Sequence, residues 1–325
     1  MFASFIENAR ELLKNALQTS ITLFKIIIPI SIVTRLLQQW GIIDYIGIAL
    51  SPVMNLVGLP GEMGLVWATS MATNIYGGMV VFASLAPGLD LTIAQVSVLG
   101  AMILIAHSIP VEAMIARKAG TRLRITLTIR LAGALLLGWL LHISYTITNT
   151  LQQPNRALWN PPPVDQTWSA WFIAELRQMV MIFLIILTLM TILAILKKVG
   201  ITDLLTRLLG PIMNLLGISR KAAPITIIGM TLGISLGGGL IIREAQDSSL
   251  SKRDLFASVT LMSLCHSLFE DTMLMVLLGS HLSGILWARM LFSMVVIYLL
   301  VKLAYRIPDH ILNRHLVRQV NITDK

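Results

Sequence analysis

The sequence predicts an all-α membrane protein: two inverted repeats with six transmembrane helices, two re-entrant hairpins and short amphipathic helices. Three observations support this prediction, namely the composition, a self-similarity at a fixed offset, and the distribution of positive charge. Of the 325 residues, 56% are hydrophobic and 13% are charged, with a mean hydropathy of +0.80. Soluble domains carry about 25% charged residues. A soluble globule of this composition would expose large apolar patches, so soluble enzymes are excluded.

The two halves of the chain are similar to each other. Shifting the sequence by 159 positions aligns them without a gap over about a hundred residues. The matches include residue types that an apolar composition does not align by chance. They are Gly41 with Gly200, Asp44 with Asp203, the run 52–58 with 211–217, Gly78 with Gly237, His107-Ser108 with His266-Ser267, and Arg130 with Arg289. Self-similarity at one fixed offset indicates a duplicated unit.

Six apolar stretches approach or exceed the length of about 20 residues that crosses a bilayer. They are residues 21–38, 92–116 and 124–143 in the first half, and 169–196, 254–278 and 284–305 in the second. A short amphipathic stretch (42–57, 201–216) and a Gly-interrupted apolar stretch (62–86, 222–242) follow the first span of each half. The predicted segments are an amphipathic N-terminal helix (1–20), a first repeat (21–143), a Pro-rich linker (144–168), a second repeat (169–305) and a tail (306–325).

The positive charges of the two halves lie in different loops. The loop after 92–116 contains Arg117, Lys118 and Arg122, whereas its counterpart 276–283 contains no Lys or Arg. Conversely, 197–221 is basic, whereas its counterpart 38–62 is not. Because basic loops stay in the cytoplasm, the two repeats are predicted to be inserted in opposite senses, as they are in many transporters. We expect a bacterial inner-membrane protein with both termini cytoplasmic and the linker outside. The net charge of +9 then belongs to loops, and no nucleic-acid partner is predicted.

The Gly-interrupted stretches are predicted to enter and leave the membrane on one side. Basic residues flank 222–242 at both ends, which places both ends in the cytoplasm. We expect the second hairpin to turn at or near Gly237, Gly238 and Gly239, and the first at the equivalent Gly77 and Gly78. Such hairpins survive in a bilayer only beside protein or a water-filled cavity, so a polar cavity is expected. The alternative is a pair of ordinary spanning helices packed through small residues.

Two His-Ser pairs provide the sharpest functional signal. Ionisable residues inside a membrane are costly and mark functional sites by default, although core histidines that bond neighbouring helices are the alternative. The predicted substrate-binding residues are His107, Ser108, His266 and Ser267, with Asn74, Tyr76 and Ser235 near the hairpin turns. Glu112, Glu270 and Asp271 follow the pairs at helical spacing and are predicted to tune the histidines or relay protons, unless they are simply solvated helix-end acids.

Other chemistry receives less support from the sequence. His107, Cys265, His266, Glu270 and Asp271 are residue types that bind transition metals. However, the chain has neither HExxH nor CxxC, and we predict no metal and no cofactor. The chain also lacks a nucleophile elbow and a Gly-rich phosphate loop, and no enzyme activity is predicted. Arg130 and Arg289, near the start of the last span of each half, are interpreted as snorkelling to the interface or pairing with acids.

One family shares this order of elements. An amphipathic helix, Pro-x-Met-Asn-Leu-x-Gly, a Gly-rich apolar hairpin and a His-Ser helix occur twice, at about 21–141 and 180–300. This order resembles the nucleoside-recognition or Gate domain family. The double occurrence is similar to a fusion of spore maturation proteins A and B, and similar modules form part of the ferrous-iron permease and of concentrative nucleoside transporters. The resemblance implies an inner-membrane protein with a transport-like core.

The predicted function is secondary transport of a small polar solute such as a nucleoside, by alternating access around a site at the membrane midplane. The expected partners are that solute, a coupling ion and membrane lipid, with homo-oligomerisation left open. Two alternatives remain. One is a divalent-metal permease, which would hold its metal at His107 and His266. The other is a non-transporting membrane assembly or maturation factor, whose midplane would be filled by apolar side chains.

Overall fold

The computed structural model describes residues 2–159, 167–233, 239, 242–243 and 250–317. Within these ranges the regular structure is helical, and extended pairing is limited to isolated bridges, Thr92 with Pro154 and Thr121 with Val317. The helices are α1 (Phe2–Gln39), α2 (Ile42–Leu56), α3 (Met63–Ala72), α4 (Ile75–Leu85), α5 (Ile93–Ile105), α6 (Ile109–Lys118), α7 (Leu123–Ile147), α8 (Trp168–Lys198), α9 (Ile201–Leu215), α10 (Ala223–Leu232), α11 (Lys252–Leu264), α12 (Glu270–Leu277), α13 (Ser283–Arg306) and α14 (Asp309–Ile311).

Five helical segments of the described chain are long and apolar enough to cross a membrane. They are Arg10–Gln39, Ile93–Lys118, Leu123–Ile147, Trp168–Leu196 and Ser283–Arg306. Large apolar side chains such as Val180 and Leu291 point outward from them, as expected for surfaces covered by lipid. The predicted all-α membrane fold is therefore confirmed. The sixth predicted span, 254–278, is divided into α11 and α12 and is not among the five.

The first helix is longer than the sequence indicates. Helix α1 runs through Phe2–Gln39 as one element, so the expected N-terminal helix 1–20 is continuous with the expected span 21–38. Gly41, which follows it, has a φ of +64°, a conformation that glycine adopts without steric cost. Gly200 follows α8 with a φ of +79°.

The two halves share their unusual backbone positions. Four pairs of residues with positive φ are each separated by 159 positions. They are Gly41 with Gly200, Gly58 with Gly217, Ser108 with Ser267, and Gly120 with Gly279. The self-similarity in sequence is therefore accompanied by the same sequence of turns. The sense in which each half enters the membrane stays a prediction.

Helices α3 and α4 form a helical hairpin within the stretch 62–86, whose entry and exit on one side of the membrane stay a prediction. A Cβ added at Gly78 would lie 2.7 Å from the Ser70 Cβ and 3.3 Å from the Val66 carbonyl oxygen. Gly78 on α4 therefore lies against the body of α3, so the two helices run side by side. The turn itself is at Thr73 and Asn74, and the Asn74 side chain accepts a hydrogen bond from the Gly77 N–H at 2.9 Å. Gly77 and Gly78 thus lie close to the turn and permit close helix contact, but the residues that form the turn itself precede them.

The second hairpin is described only in part. Helix α10 ends at Leu232, and Gly233 follows it with a φ of +93°. The predicted turn residues Ser235, Gly237 and Gly238 lie outside the described residues. Gly239 is helical and exposed, and an added Cβ there would meet no atom within 4 Å.

The two halves pack against each other through small residues. Helix α5 packs on α7 and also on the first turn of α13. A Cβ at Gly100 would lie 2.5 Å from the Ser280 Oγ and 3.1 Å from Ile285. The Ser280 hydroxyl also donates a hydrogen bond to the Val96 carbonyl at 2.9 Å. This contact fixes how the N-terminal half of α5 meets the second half.

Candidate functional site

Each half contains a broken helix, and the break occurs at the His-Ser pair. Helix α5 ends at Ile105 and α6 begins at Ile109, whereas α11 ends at Leu264 and α12 begins at Glu270. The predicted continuous helices 92–116 and 254–278 are therefore wrong at their centres. Ser108 and Ser267 adopt left-handed φ values of +46° and +47°. This conformation costs a non-glycine residue about 1–2 kcal/mol, so the surrounding structure must impose it.

Two buried arginines satisfy the carbonyl groups that the breaks release. Arg130 donates from Nε to the Ile105 carbonyl at 2.8 Å and from Nη2 to the His107 carbonyl at 2.6 Å. Arg289 does the same for Leu264 at 3.1 Å and His266 at 2.7 Å. Both arginines are 0% exposed. The snorkelling interpretation is therefore wrong, because the planar guanidinium is needed inside to pair with carbonyls that have lost their helical partners.

The two histidines meet between the breaks. The Nε2 atoms of His107 and His266 are 3.3 Å apart. Each Nδ1 lies 2.9 Å from a backbone carbonyl, of Ile103 and Met262 respectively. A carbonyl only accepts hydrogen bonds, so each Nδ1 donates its proton to it, and the Nε2 atoms of the two rings face each other at the centre of the cluster.

Two carboxylates complete this cluster. Glu112 Oε1 lies 3.2 Å from His107 Nε2 and 3.3 Å from His266 Nε2. Asp271 Oδ2 lies 3.6 Å and 3.8 Å from the same two atoms. We call these four side chains the paired-histidine cluster. None of the four residues is more than 8% exposed, so the cluster is closed to solvent in this conformation.

The two carboxylates have different partners. Glu112 Oε2 forms an ion pair with Arg130 Nη1 at 2.7 Å. Asp271 is hydrogen-bonded to the Ser267 side chain and is within electrostatic range of Arg289. Its Oδ2 atom, however, is buried without a hydrogen-bond partner among the described residues. A buried oxygen without a partner is costly, and it faces the two imidazoles.

The remaining predicted site residues are distributed around the cluster. Tyr76, at the start of α4, hydrogen-bonds the Glu270 carboxylate at the start of α12. Asn74 caps α4, and Gly77 packs on Thr73 and Ile30. The Ser108 N–H donates to the Ser70 carbonyl at 2.9 Å, which ties the first break to α3. Tyr76 and Glu270 thus join the first hairpin to the second broken helix.

The structure brings together fewer possible metal ligands than the five residues that the sequence analysis named. Ligand atoms of His107, His266 and Asp271 all lie within 4.8 Å of one another. Cys265 is buried in the second break, but it does not belong to that group within the described chain.

A separate cleft lies at the opposite end of α5. Its volume is about 300 Å³, and it is lined by residues that include Asp90, Gln95, His142 and Gln152. Helix α5 has 13 residues, which at a rise of about 1.5 Å per residue separates this cleft from the paired-histidine cluster by most of the helix length. The cleft and the cluster are therefore distinct.

Sequence reasoning missed the helix breaks and the internal role of the arginines. Pro110 next to His107-Ser108 was a signal for the first break, because proline favours the first turn of a helix. The second break has no such signal at the equivalent position, Phe269. The matched arginines were visible in the sequence, but the carbonyls that they bind became unpaired only when the helices broke.

Comparison with known proteins agrees with this architecture. The family described as nucleoside recognition (Gate) matches the chain twice, over residues 20–122 and 179–281. The two matches are 159 positions apart, which is the offset of the internal similarity. The chain is also 27% identical over 267 residues to the uncharacterized membrane protein YvoD of Bacillus subtilis (strain 168), which covers 81% of this chain and 84% of YvoD. No solved structure matches the chain.

Proposed function

The chain belongs to the nucleoside-recognition (Gate) family of membrane proteins, and from this premise we propose that it is a secondary transporter of a small polar solute. The observation that carries the proposal is the meeting of the two broken helices at a buried cluster of ionisable side chains. His107 and His266 are equivalent residues of the two halves, and they contact each other directly. Transporters with internal repeats place their binding sites at such an interface, on discontinuous helices.

Counterpart residues of the two halves make matching contacts in the cluster. Glu112 and Asp271 occupy equivalent positions, and each approaches the Nε2 atoms of both histidines. Equivalent residues contact each other in this way when a two-fold axis passes between them. Movement of one half against the other would therefore open the cluster on one side or the other. The closed arrangement then corresponds to the occluded state of an alternating-access cycle.

The contacts that cross between the halves would control this movement. The Tyr76 hydroxyl bonds Glu270, which belongs to the other half. The backbone of Ser108 is tied to α3 of its own half. We propose that the Tyr76–Glu270 bond holds the site closed and breaks as the halves separate.

The alternative of a non-transporting assembly factor receives less support. It predicts that the midplane is filled with apolar side chains. Instead, two histidines, two carboxylates and two arginines surround the point where the breaks meet. Burial of that many ionisable groups at membrane depth is costly, and it is retained where an ion or solute has to pass.

Uptake by proteoliposomes tests the proposal. The purified protein would be reconstituted and supplied separately with tritiated uridine, tritiated adenosine and Zn²⁺, the first two chosen because of the family's description. We expect uptake of at least one probe above that of protein-free vesicles, and its loss in His266→Ala. His310→Ala, at an exposed position outside the cluster, should keep the uptake. No uptake of any probe, or full uptake by His266→Ala, would overturn the proposal.

The orientation can be tested separately. We propose an inner-membrane location with cytoplasmic termini, which places Lys118 inside and Gln153 outside. Cys265 is the natural cysteine and is buried, so cysteines introduced as Lys118→Cys or Gln153→Cys give clean labelling sites. A membrane-impermeant thiol reagent added to whole cells should label Gln153→Cys and spare Lys118→Cys. The reverse pattern would invert the topology.

A further inference from the structure

We propose that the paired-histidine cluster binds one divalent first-row transition-metal ion, with His107 Nε2, His266 Nε2 and Asp271 Oδ2 as its ligands. The inference names a class of substrate for the proposed transport function. It rests on that function only for the route by which the ion crosses the membrane. Binding itself is independent of that route. The sequence alone favoured no metal, because the chain has neither HExxH nor CxxC, and it left a divalent-metal permease with its metal at His107 and His266 as an alternative.

The distances within the cluster fit a single ion. Atoms bound 2.0–2.2 Å from one tetrahedral zinc ion lie about 3.3–3.6 Å from each other. The two Nε2 atoms are 3.3 Å apart, and Asp271 Oδ2 lies 3.6 Å and 3.8 Å from them. The same spacing leaves no room for a solute as large as a nucleoside between these atoms. The closed cluster is therefore suited to an ion.

The orientation of the imidazoles also suits a cation. Each Nδ1 lies 2.9 Å from a backbone carbonyl, so both Nε2 atoms point into the cluster. Metal-bound histidines show this arrangement, with the outer nitrogen donating to a carbonyl or carboxylate.

Asp271 Oδ2 provides an independent indication of a ligand. The residue is 8% exposed, and this oxygen has no hydrogen-bond partner in the described structure although it is aimed at the two imidazoles. Glu112, in contrast, is already paired with Arg130 at 2.7 Å. A bound cation would supply the missing partner of Asp271 and be further stabilised by Glu112 Oε1.

The ligand types select the class of metal. Imidazole nitrogens favour Zn²⁺, Fe²⁺ and their neighbours, whereas Mg²⁺ and Ca²⁺ require more oxygen ligands than this site offers. Arg130 and Arg289 offset part of the carboxylate charge, which weakens cation binding. Ions that pass through a protein must be bound weakly enough to leave, so this balance suits a transported ion better than a resident cofactor.

Metal binding to the purified, tag-free protein tests the inference. Zn²⁺ binding would be measured by calorimetry, and Co²⁺ would be added as a probe whose visible spectrum reports its ligands. We expect one ion per chain and a tetrahedral Co²⁺ spectrum, both lost in the double variant His107→Gln/His266→Gln. His310→Gln is the matched control and should retain both signals. Each variant's thermal unfolding would be recorded in parallel to confirm that it is folded.

The outcomes separate this inference from the proposed function. If the wild-type protein binds no Zn²⁺ or Co²⁺ beyond the double variant, the metal site is overturned, and the histidines then hold protons only. Uptake of uridine that depends on His266 would still support transport in that case. Conversely, metal binding at the cluster without uptake of any probe would sustain the site and overturn the transporter.

Discussion

The two helix breaks share one construction and differ in the carboxylate that each supplies. In both, a serine adopts a left-handed conformation, an arginine binds the freed carbonyls, and a histidine reaches the centre. In the first half the longer Glu112 contacts both imidazoles and its arginine. In the second half the shorter Asp271 lies farther from the imidazoles, with its Oδ2 atom 3.6 Å and 3.8 Å from their Nε2 atoms. Both halves therefore hold their helix break in the same way. Asp271, which is one methylene shorter than Glu112, has a carboxylate oxygen without a hydrogen-bond partner among the described residues.

This comparison indicates which of the two carboxylates maintains the fold and which binds the ligand. Glu112 and Arg130 neutralise each other inside the protein, so removing either leaves a buried charge. The Oδ2 atom of Asp271 has no hydrogen-bond partner among the described residues, so replacing Asp271 should affect ligand binding more than folding.

The largest effect is expected on removing the arginine of the first break. Arg130→Met leaves Glu112 and two carbonyls without a partner, and loss of one member of a buried ion pair costs about 3–5 kcal/mol of unfolding free energy. Arg289→Met should cost less, because Arg289 forms no comparable ion pair with the residues that the structure describes. Denaturant titration in detergent micelles would measure both. Adding Glu112→Gln to Arg130→Met should restore part of the loss, and equal losses for the two arginines would remove the proposed difference.

The next effect concerns the carboxylates and metal affinity. Glu112→Gln should weaken Zn²⁺ binding by roughly 10–100-fold, the range for loss of an outer partner. Asp271→Asn removes a proposed ligand and should weaken binding by more than that. Calorimetry on the two folded variants gives the comparison directly. If Glu112→Gln is the more harmful change, the assignment of Asp271 as the ligand is wrong.

A smaller effect is expected at the C-terminal end of α10. Gly233 has φ +93° and ψ 163°, a region that is essentially restricted to glycine and costs other residues about 1–3 kcal/mol. An added Cβ would also lie 2.6 Å from the Ser267 Oγ. Gly233→Ala should therefore lower the unfolding free energy. Gly210→Ala is the control, because its Cβ meets no atom within 4 Å and alanine favours the helix there. A neutral Gly233→Ala would contradict this account.

The smallest effect is expected at the equivalent position of the first hairpin. Asn74 caps α4, and replacing such a cap by glycine costs only a few tenths of a kcal/mol, whereas alanine costs about 1 kcal/mol. Asn74→Gly gives the first hairpin the residue that the second already has. The expected order of stability is wild type, Asn74→Gly, Asn74→Ala, measured by the same titration. A greater loss for glycine than for alanine would show that the cap is not what holds this turn.

The sequence by itself determined the class and the duplication of this protein. Its apolar composition requires lipid around long helices, and the matched Gly, His and Arg residues at an offset of 159 required a repeated unit. The candidates His107 and His266 also came from the sequence, because ionisable residues are rare in apolar helices. These are properties of residue type and spacing along the chain, and they are read without coordinates.

Only the tertiary structure decided what those residues do. It showed that both helices break at the His-Ser pairs, that Arg130 and Arg289 lie inside, and that Glu112 and Asp271 contact both histidines. It also separated Glu270 from its neighbour Asp271, since the former bonds Tyr76 and the latter faces the cluster. The physical reason is that the contacts between the two halves, and those from the arginines to the breaks, join segments distant in sequence. A carbonyl released by a break also leaves no signature in the type of residue that carries it.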